Sequence, residues 1–179
     1  MEFVIDLDEL GKRGKSTLQG IYPLDSVDFV TGPCPVLEPV FVKIVVVKTD
    51  LGIAVGGYVK TIIEHPCDRC LEPVAVPING TIEALYKNSE QNERQEETQD
   101  LRNVIYYSGN RIDLSERILE AIIVDIPSRV LCKPDCRGLC PYCGENLNEH
   151  PDHECKSSGS NADPRMNKLK DLRQIIKEG

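Results

Sequence analysis

The stretch VFVKIVVVK at residues 40–48 decides the fold class, because its β-branched residues and opening alternation specify a strand. The run after it, IAVGGYVKTIIE at residues 53–64, reads the same way, with Gly56-Gly57 expected to mark a bulge or bend. A third run, VAVPINGTIEALY at residues 74–86, alternates apolar and polar residues. Asn79-Gly80 offers it a turn or bulge, and Pro77 restricts it to an edge or irregular position. Working outward, EFVIDL at residues 2–7 is a short strand and NVIYYSGNRI at residues 103–112 a strand and turn. Residues 87–102 (KNSEQNERQEETQDLR) hold a single apolar residue, Leu101, and read as a mobile, solvated acidic loop.

Helical signals follow. Asp113 is placed to cap a helix, with Glu116 as its capping-box partner. Leu114, Ile118, Leu119, Ile122 and Ile123 share the face expected to pack on the sheet, and Pro127 ends the helix. Residues 132–155 are cysteine-rich. A joint of Ser and Gly precedes Asp163-Pro164, a cap and N1 proline in the right order for a final short helix. Its stripe of Met166, Leu169, Leu172, Ile175 and Ile176 is read as core packing rather than a partner groove. The expectation is an α+β fold: a twisted, mainly antiparallel sheet with one packed helix, then a zinc-knuckle segment ending in a short helix. The boundary falls near residue 130, giving a β-rich domain at 1–130 and a cysteine-rich segment at 131–179.

Composition narrows the function. The chain has 179 residues, 40% hydrophobic and 28% charged, enough to bury a core. Its 21 Lys and Arg against 29 Asp and Glu give a net charge of −8, which argues against gripping nucleic acid through bulk positive charge. Apolar runs are only a few residues long, so no membrane span is expected. The opening MEFVIDLDELGKRGK has acids where an export signal needs a basic end, so the expected location is the cytoplasm.

Cytosolic thiols are kept reduced, so the eight cysteines point to metal binding or redox chemistry rather than disulfides. Cys67-Asp68-Arg69-Cys70 and Cys140-Pro141-Tyr142-Cys143-Gly144 are two C-x-x-C turns, the second in the C-P-x-C-G form of a zinc knuckle. Two-residue spacing lets one tight turn aim both sulfurs at a tetrahedral ion about 2.3 Å away. Cys132 and Cys136 add a third pair, and His153 with Cys155 a fourth. Eight soft ligands suffice for two four-coordinate zinc sites. The preferred partition sets Cys140, Cys143, His153 and Cys155 in one site. Cys67, Cys70, Cys132 and Cys136 form the other, tying the sheet half to the C-terminal segment. The rival joins the two C-x-x-C turns into one ribbon and a single zinc. Cys34, between prolines, is read as a buried thiol or loop residue, His65 as an exposed residue, and His150 as a loop residue that competes with His153 for the site.

Enzymatic motifs fail one by one. GKRGKST at residues 11–17 lacks the leading glycine of a phosphate loop, since position 9 is Glu9. Pro66-Cys67-Asp68-Arg69-Cys70 imitates half of the zinc-deaminase signature, but no His lies upstream of His65 to complete it. A thioredoxin-like role for Cys67 and Cys70 needs a helix after the pair, where this chain has LEPVAVP. Zinc held by four protein ligands has no open position and braces structure rather than catalysing. The chain is therefore read as a non-enzyme with no small-molecule substrate.

Three segments together, CDRCLEPV (67–74), CKPDCRGLCPYCGENLN (132–148) and DPRMNKLKDL (163–172), resemble the YceD family of bacterial proteins. The order of a β-rich half, polar loop, helix and cysteine cluster also resembles it, so the likeness spans nearly the whole chain. Where family members commonly show C-x-C, this chain has His153-Glu154-Cys155, and His is a competent zinc ligand. Some members keep only the first C-x-x-C, which implies that the C-terminal cluster is dispensable for the shared role. The resemblance implies a part in the accumulation of large-subunit ribosomal RNA, hence in ribosome biogenesis, with no catalytic activity attached.

The partner is then ribosomal RNA, a large-subunit ribosomal protein or an assembly factor. Arg69, Lys133, Arg137, Arg165 and Lys168 are the weak candidates for phosphate contact, against the plainer expectation that they pair with acids and keep the surface soluble. Two other classes compete. A zinc-ribbon regulator of DNA or polymerase calls for a basic recognition helix, which the chain lacks. A dithiol redox protein calls for a metal-free, reactive Cys67/Cys70 pair.

Overall fold

The computed structural model describes residues 3–29, 32–89 and 103–155. Elements run β1 (Val4–Asp6), α1 (Leu7–Arg13), β2 (Lys15–Tyr22), β3 (Ser26–Phe29), β4 (Gly32–Pro35), β5 (Val40–Thr49), β6 (Gly52–Pro66), β7 (Pro73–Asn88), β8 (Val104–Tyr107), β9 (Arg111–Asp113) and α2 (Ser115–Asp125). The chain divides into two compact units. One comprises residues 1–67 and 72–130, the other residues 68–71 and 131–179.

In the first unit a five-stranded sheet is ordered β2-β5-β6-β7-β8. Its first four strands pair antiparallel, and β8 joins β7 in parallel. Two short ribbons, β1–β9 and β3–β4, complete the strands, and the class is α+β. The β-branched run of residues 40–48 lies in β5, between two neighbours. Val40, Val42, Ile44 and Val46 are buried on one face, with Val55, Val59 and Ile63 of β6 and Val76, Ile78 and Ile82 of β7. The period-2 alternation of a strand puts all of them on the core side.

Helix α2 covers that face through Ile118, Ala121 and Ile122, with Leu114 buried just before it. The helix backbone comes close at Gly80, where a Cβ would stand 2.1 Å from the carbonyl oxygen of Ala121. Asn79-Gly80 is therefore neither turn nor bulge: β7 runs straight through it, pairing Asn79 with Lys60 and Gly80 with Val59. The bulge expected at Gly56-Gly57 is likewise absent. Register with β5 is continuous there, and a Cβ on Gly57 would meet the Lys43 carbonyl oxygen at 2.3 Å, so close strand packing explains the glycine. Pro77 pairs with Ile62 where β7 has no second neighbour, because β8 reaches only Leu85–Asn88.

Several boundaries differ from expectation. Lys87 and Asn88, assigned to the acidic loop, end β7 and pair with Tyr106 and Tyr107. Backbone pairing is indifferent to their polar side chains. Residues 90–102 and the final helix expected from Asp163 lie outside the described residues. The cap of α2 is Leu114, without a side-chain cap bond. Asp113 ends β9, and its Oδ1 accepts from the Ser115 N–H at 2.8 Å. Ile123 is exposed rather than packed, and Ala121 takes its place on the sheet. His65 is buried at 2% exposure, its ring edge-on to Phe29 and its Nδ1 2.8 Å from the Pro66 carbonyl oxygen. β-Strand alternation places residue 65 on the same face as Ile63. Cys34 is a buried thiol in β4. Among the described residues no helix is long and apolar enough to cross a membrane.

Candidate metal centres

Both C-x-x-C turns are six-residue hairpin loops closed in the same way. Pro66 pairs with Pro73 around residues 67–72, and Leu139 with Asn146 around residues 140–145. In each, the first cysteine's N–H donates to the carbonyl five residues on, Cys67 to Glu72 and Cys140 to Glu145, both at 2.8 Å. In each, the residue after the second cysteine takes a left-handed conformation: Leu71 at φ 64° and Gly144 at φ 78°. Glycine adopts that region freely, whereas an L side chain costs about 1–2 kcal/mol there. The C-x-x-C-G signature thus has a direct cause, and the first turn forms despite lacking its glycine.

The sulfurs and one imidazole gather into two sets. Cys67, Cys70, Cys132 and Cys136 form one; Cys140, Cys143, His153 and Cys155 form the other, and within each set the candidate ligand atoms lie within 4.8 Å of one another. A tetrahedral ion about 2.3 Å from each sulfur requires sulfurs about 3.8 Å apart, so both sets have the right size. Cys70 and Cys132 sulfurs are 3.5 Å apart, and Cys143 Sγ is 3.2 Å from His153 Nε2. The two C-x-x-C turns fall in different sets.

Backbone dipoles converge on the sulfurs. N–H groups of Tyr142 and Cys143 point at Cys140 and, with Cys143 and His153 side chains adding to them against burial, bring its thiol down to about 6. At Cys136 burial works upward but is outweighed by the Asn148 side chain, the Gly138 N–H and the Cys70 and Cys132 thiols, and the net shift is down. Cys143 goes the other way. The Glu145 N–H lowers it, but burial together with Cys140 and Cys155 raises it. Sulfurs crowded this closely hold one another's protonation apart, because two neighbouring thiolates repel.

Asn148 is a residue the sequence reading quoted but gave no role. Its Nδ2 donates to Cys136 Sγ at 3.4 Å and to Asn146 Oδ1 at 3.0 Å, while its Oδ1 accepts from the Arg137 N–H at 2.9 Å. An amide that both donates to a thiolate and accepts from the chain beside it holds the sulfur in place.

The arginines considered for phosphate contact are tied into this framework. Arg69 Nη1 donates to the Cys136 carbonyl at 2.6 Å, and Arg137 Nη1 to the Pro151 carbonyl at 3.0 Å. Lys133 is exposed. Arg165 and Lys168 lie outside the described residues. His150 stands outside both sets, with Nε2 3.2 Å from Glu145 Oε1.

These features define a class: a sheet-and-helix protein bearing two four-residue sets of soft side chains that could each hold a metal ion, built on paired C-x-x-C turns. Residues 55–173 match the family model described as large ribosomal RNA subunit accumulation protein YceD, and the chain belongs to that family. An uncharacterized protein of Mycobacterium tuberculosis is 34% identical over 123 residues, 68% of this chain and 56% of its own length. A maize protein named as a chloroplastic large ribosomal RNA subunit accumulation protein YCED homolog is 27% identical, covering 66% of this chain and 49% of the relative. Its Arabidopsis thaliana counterpart is 22% identical over 78% of this chain and 50% of its own. The chain thus spans about half the length of each of these three relatives. No solved structure matches it.

Proposed function

We propose that this protein is a non-enzymatic factor in ribosome biogenesis that supports accumulation of large-subunit ribosomal RNA and is braced by two structural zinc ions. The carrying observation is that the family match over residues 55–173 contains both ligand sets, Cys67 to Cys136 and Cys140 to Cys155. Soft thiolates with one imidazole in tetrahedral number select zinc over harder cations. Each ion has all its positions filled by protein, so its contribution is to hold turns together rather than to activate water. Sulfur geometry favours this over redox cycling: a sulfur of the other pair, Cys132, stands 3.5 Å from Cys70. The working site is the compartment where ribosomes assemble, here the cytoplasm, and the partner is ribosomal RNA or a large-subunit ribosomal protein.

Two measurements test the two halves. Elemental analysis of protein purified without chelator should give two zinc per chain; none, with freely alkylated thiols, removes the metal half. Depleting the protein in its own cells should lower large-subunit relative to small-subunit ribosomal RNA. An unchanged ratio overturns the biological half.

A further inference from the structure

The five-stranded sheet has two faces, and among the described residues α2 and the core occupy only one. On the other, strand register sets Ile21, Phe41, Lys60 and Asn79 side by side in one row across β2, β5, β6 and β7. The adjacent row is Gln19, Lys43, Tyr58 and Thr81. Aromatic and lysine alternate in both directions at the centre. The Phe41 and Tyr58 rings have centroids 6.3 Å apart, and Lys60 Nζ stands 5.4 Å from the Tyr58 centroid. Ile21 is 58% exposed and Tyr58 37%, while Phe41 is half-buried. The two rows hold two lysines and no carboxylate in a chain of net charge −8. Acids stand at its margins: the Asp125 carboxylate accepts from the Asn79 N–H at 2.6 Å, and Glu83 comes one row further on, beside Gly56.

We propose that this face, centred on Phe41, Tyr58, Lys43 and Lys60, binds single-stranded RNA, and this assignment rests on the ribosomal reading above. The exposed Tyr58 ring and the half-buried Phe41 ring beside it offer a stacking platform to unpaired bases, and flanking ammonium groups meet the phosphates. Gln19, Asn79 and Thr81 at the margins supply donors and acceptors for base edges. A duplex keeps its bases stacked on each other and gains nothing from the rings. A protein partner fits less well, because the core of a protein interface is depleted of lysine, and here lysines sit at the centre. Local charge thus reverses the global balance where an anionic ligand needs it to.

The test uses the full zinc-loaded chain and a fluorescein-labelled single-stranded RNA of about 12 nucleotides, a length suited to a small sheet platform. Anisotropy should show binding that weakens with salt at a log–log slope near −1.4, as about 0.7 per phosphate predicts for two lysines. Tyr58→Ala should weaken binding roughly 5- to 100-fold, the loss of one stacked base, while Tyr58→Phe stays within about twofold. Lys60→Glu should weaken binding and flatten the salt slope. Zinc content and circular dichroism equal to the parent's confirm that each variant is folded. The proposal is overturned if the parent does not bind, if a duplex of equal length binds more tightly, or if folded Tyr58→Ala binds like the parent. Variants that keep RNA but release a ribosomal protein overturn it in favour of a protein-docking face. The ribosomal RNA ratio in depleted cells is read separately, so a fall there with unaltered binding by Tyr58→Ala rejects this face and leaves the proposed function standing.

Discussion

The two C-x-x-C turns share one geometry but differ in what stands behind it. The Cys67 turn closes strands of 15 and 16 residues whose pairing extends from Pro66–Pro73 to Ile53–Tyr86. The Cys140 turn closes a single isolated bridge, Leu139 to Asn146, and within residues 131–155 only Cys136, Gly138 and Cys140 are buried. A sheet can impose a left-handed conformation on Leu71, since its pairing energy exceeds the local cost. At the Cys140 turn, closed by an isolated bridge, the sequence supplies Gly144, which takes that conformation without strain. Of these two turns, the one with the fuller local signature has the weaker strand support.

Metal removal should divide the two regions most sharply. Structural zinc contributes about 10–16 kcal/mol to small domains that lack a core. Chelation should therefore abolish amide-exchange protection at residues 138–147, while amides of β5 and β6 keep theirs. Equal loss in both regions would mean that the sheet also depends on metal. The converse perturbation is Gly80→Val, which drives a side chain into the backbone of α2. We expect a cost of about 2–3 kcal/mol, seen as a fall of roughly 5–10 °C in melting temperature.

Asn148→Ala sharpens the comparison within the cysteine-rich unit. It removes the Nδ2 donor to Cys136 and should weaken zinc affinity at that set about 10–100-fold in chelator competition, with little effect on the Cys140 set. Asn148→Asp, which puts a carboxylate where the amide donated, should be worse. The smallest effects come from exchanging the left-handed residues. Gly144→Ala should cost about 1 kcal/mol. Leu71→Gly relieves strain but loosens the unfolded chain, and should fall within about 0.5 kcal/mol of neutral. Denaturant titration distinguishes them, and a large loss from Leu71→Gly would show that this exposed leucine packs.

Legibility followed the same physics. β5, β6 and β7 were readable because β-branched alternation is a local signal of which face is buried. β2 was not, because its inward positions are Ser16, Leu18, Gly20 and Tyr22, only one of them strongly apolar, on a strand half-buried at the sheet edge. α1 was missed for want of length: seven residues with one buried leucine show no period, though Asp6 and Gly14 cap it. His65 beside a proline looked exposed in one dimension, and strand alternation buried it in three.

By itself the sequence determined the α+β class, the three long strands and the two C-x-x-C turns, since all depend on contacts between residues near in sequence. Spacing left two partitions of the soft ligands open, and the tertiary structure decided between them. Cys70 and Cys132 are sixty-two residues apart in the chain and 3.5 Å apart in space, a proximity that spacing along the sequence does not encode. The same holds for the checkerboard of Phe41, Lys43, Tyr58 and Lys60. Each residue is an ordinary outward position on its own strand, and only antiparallel register makes them one surface.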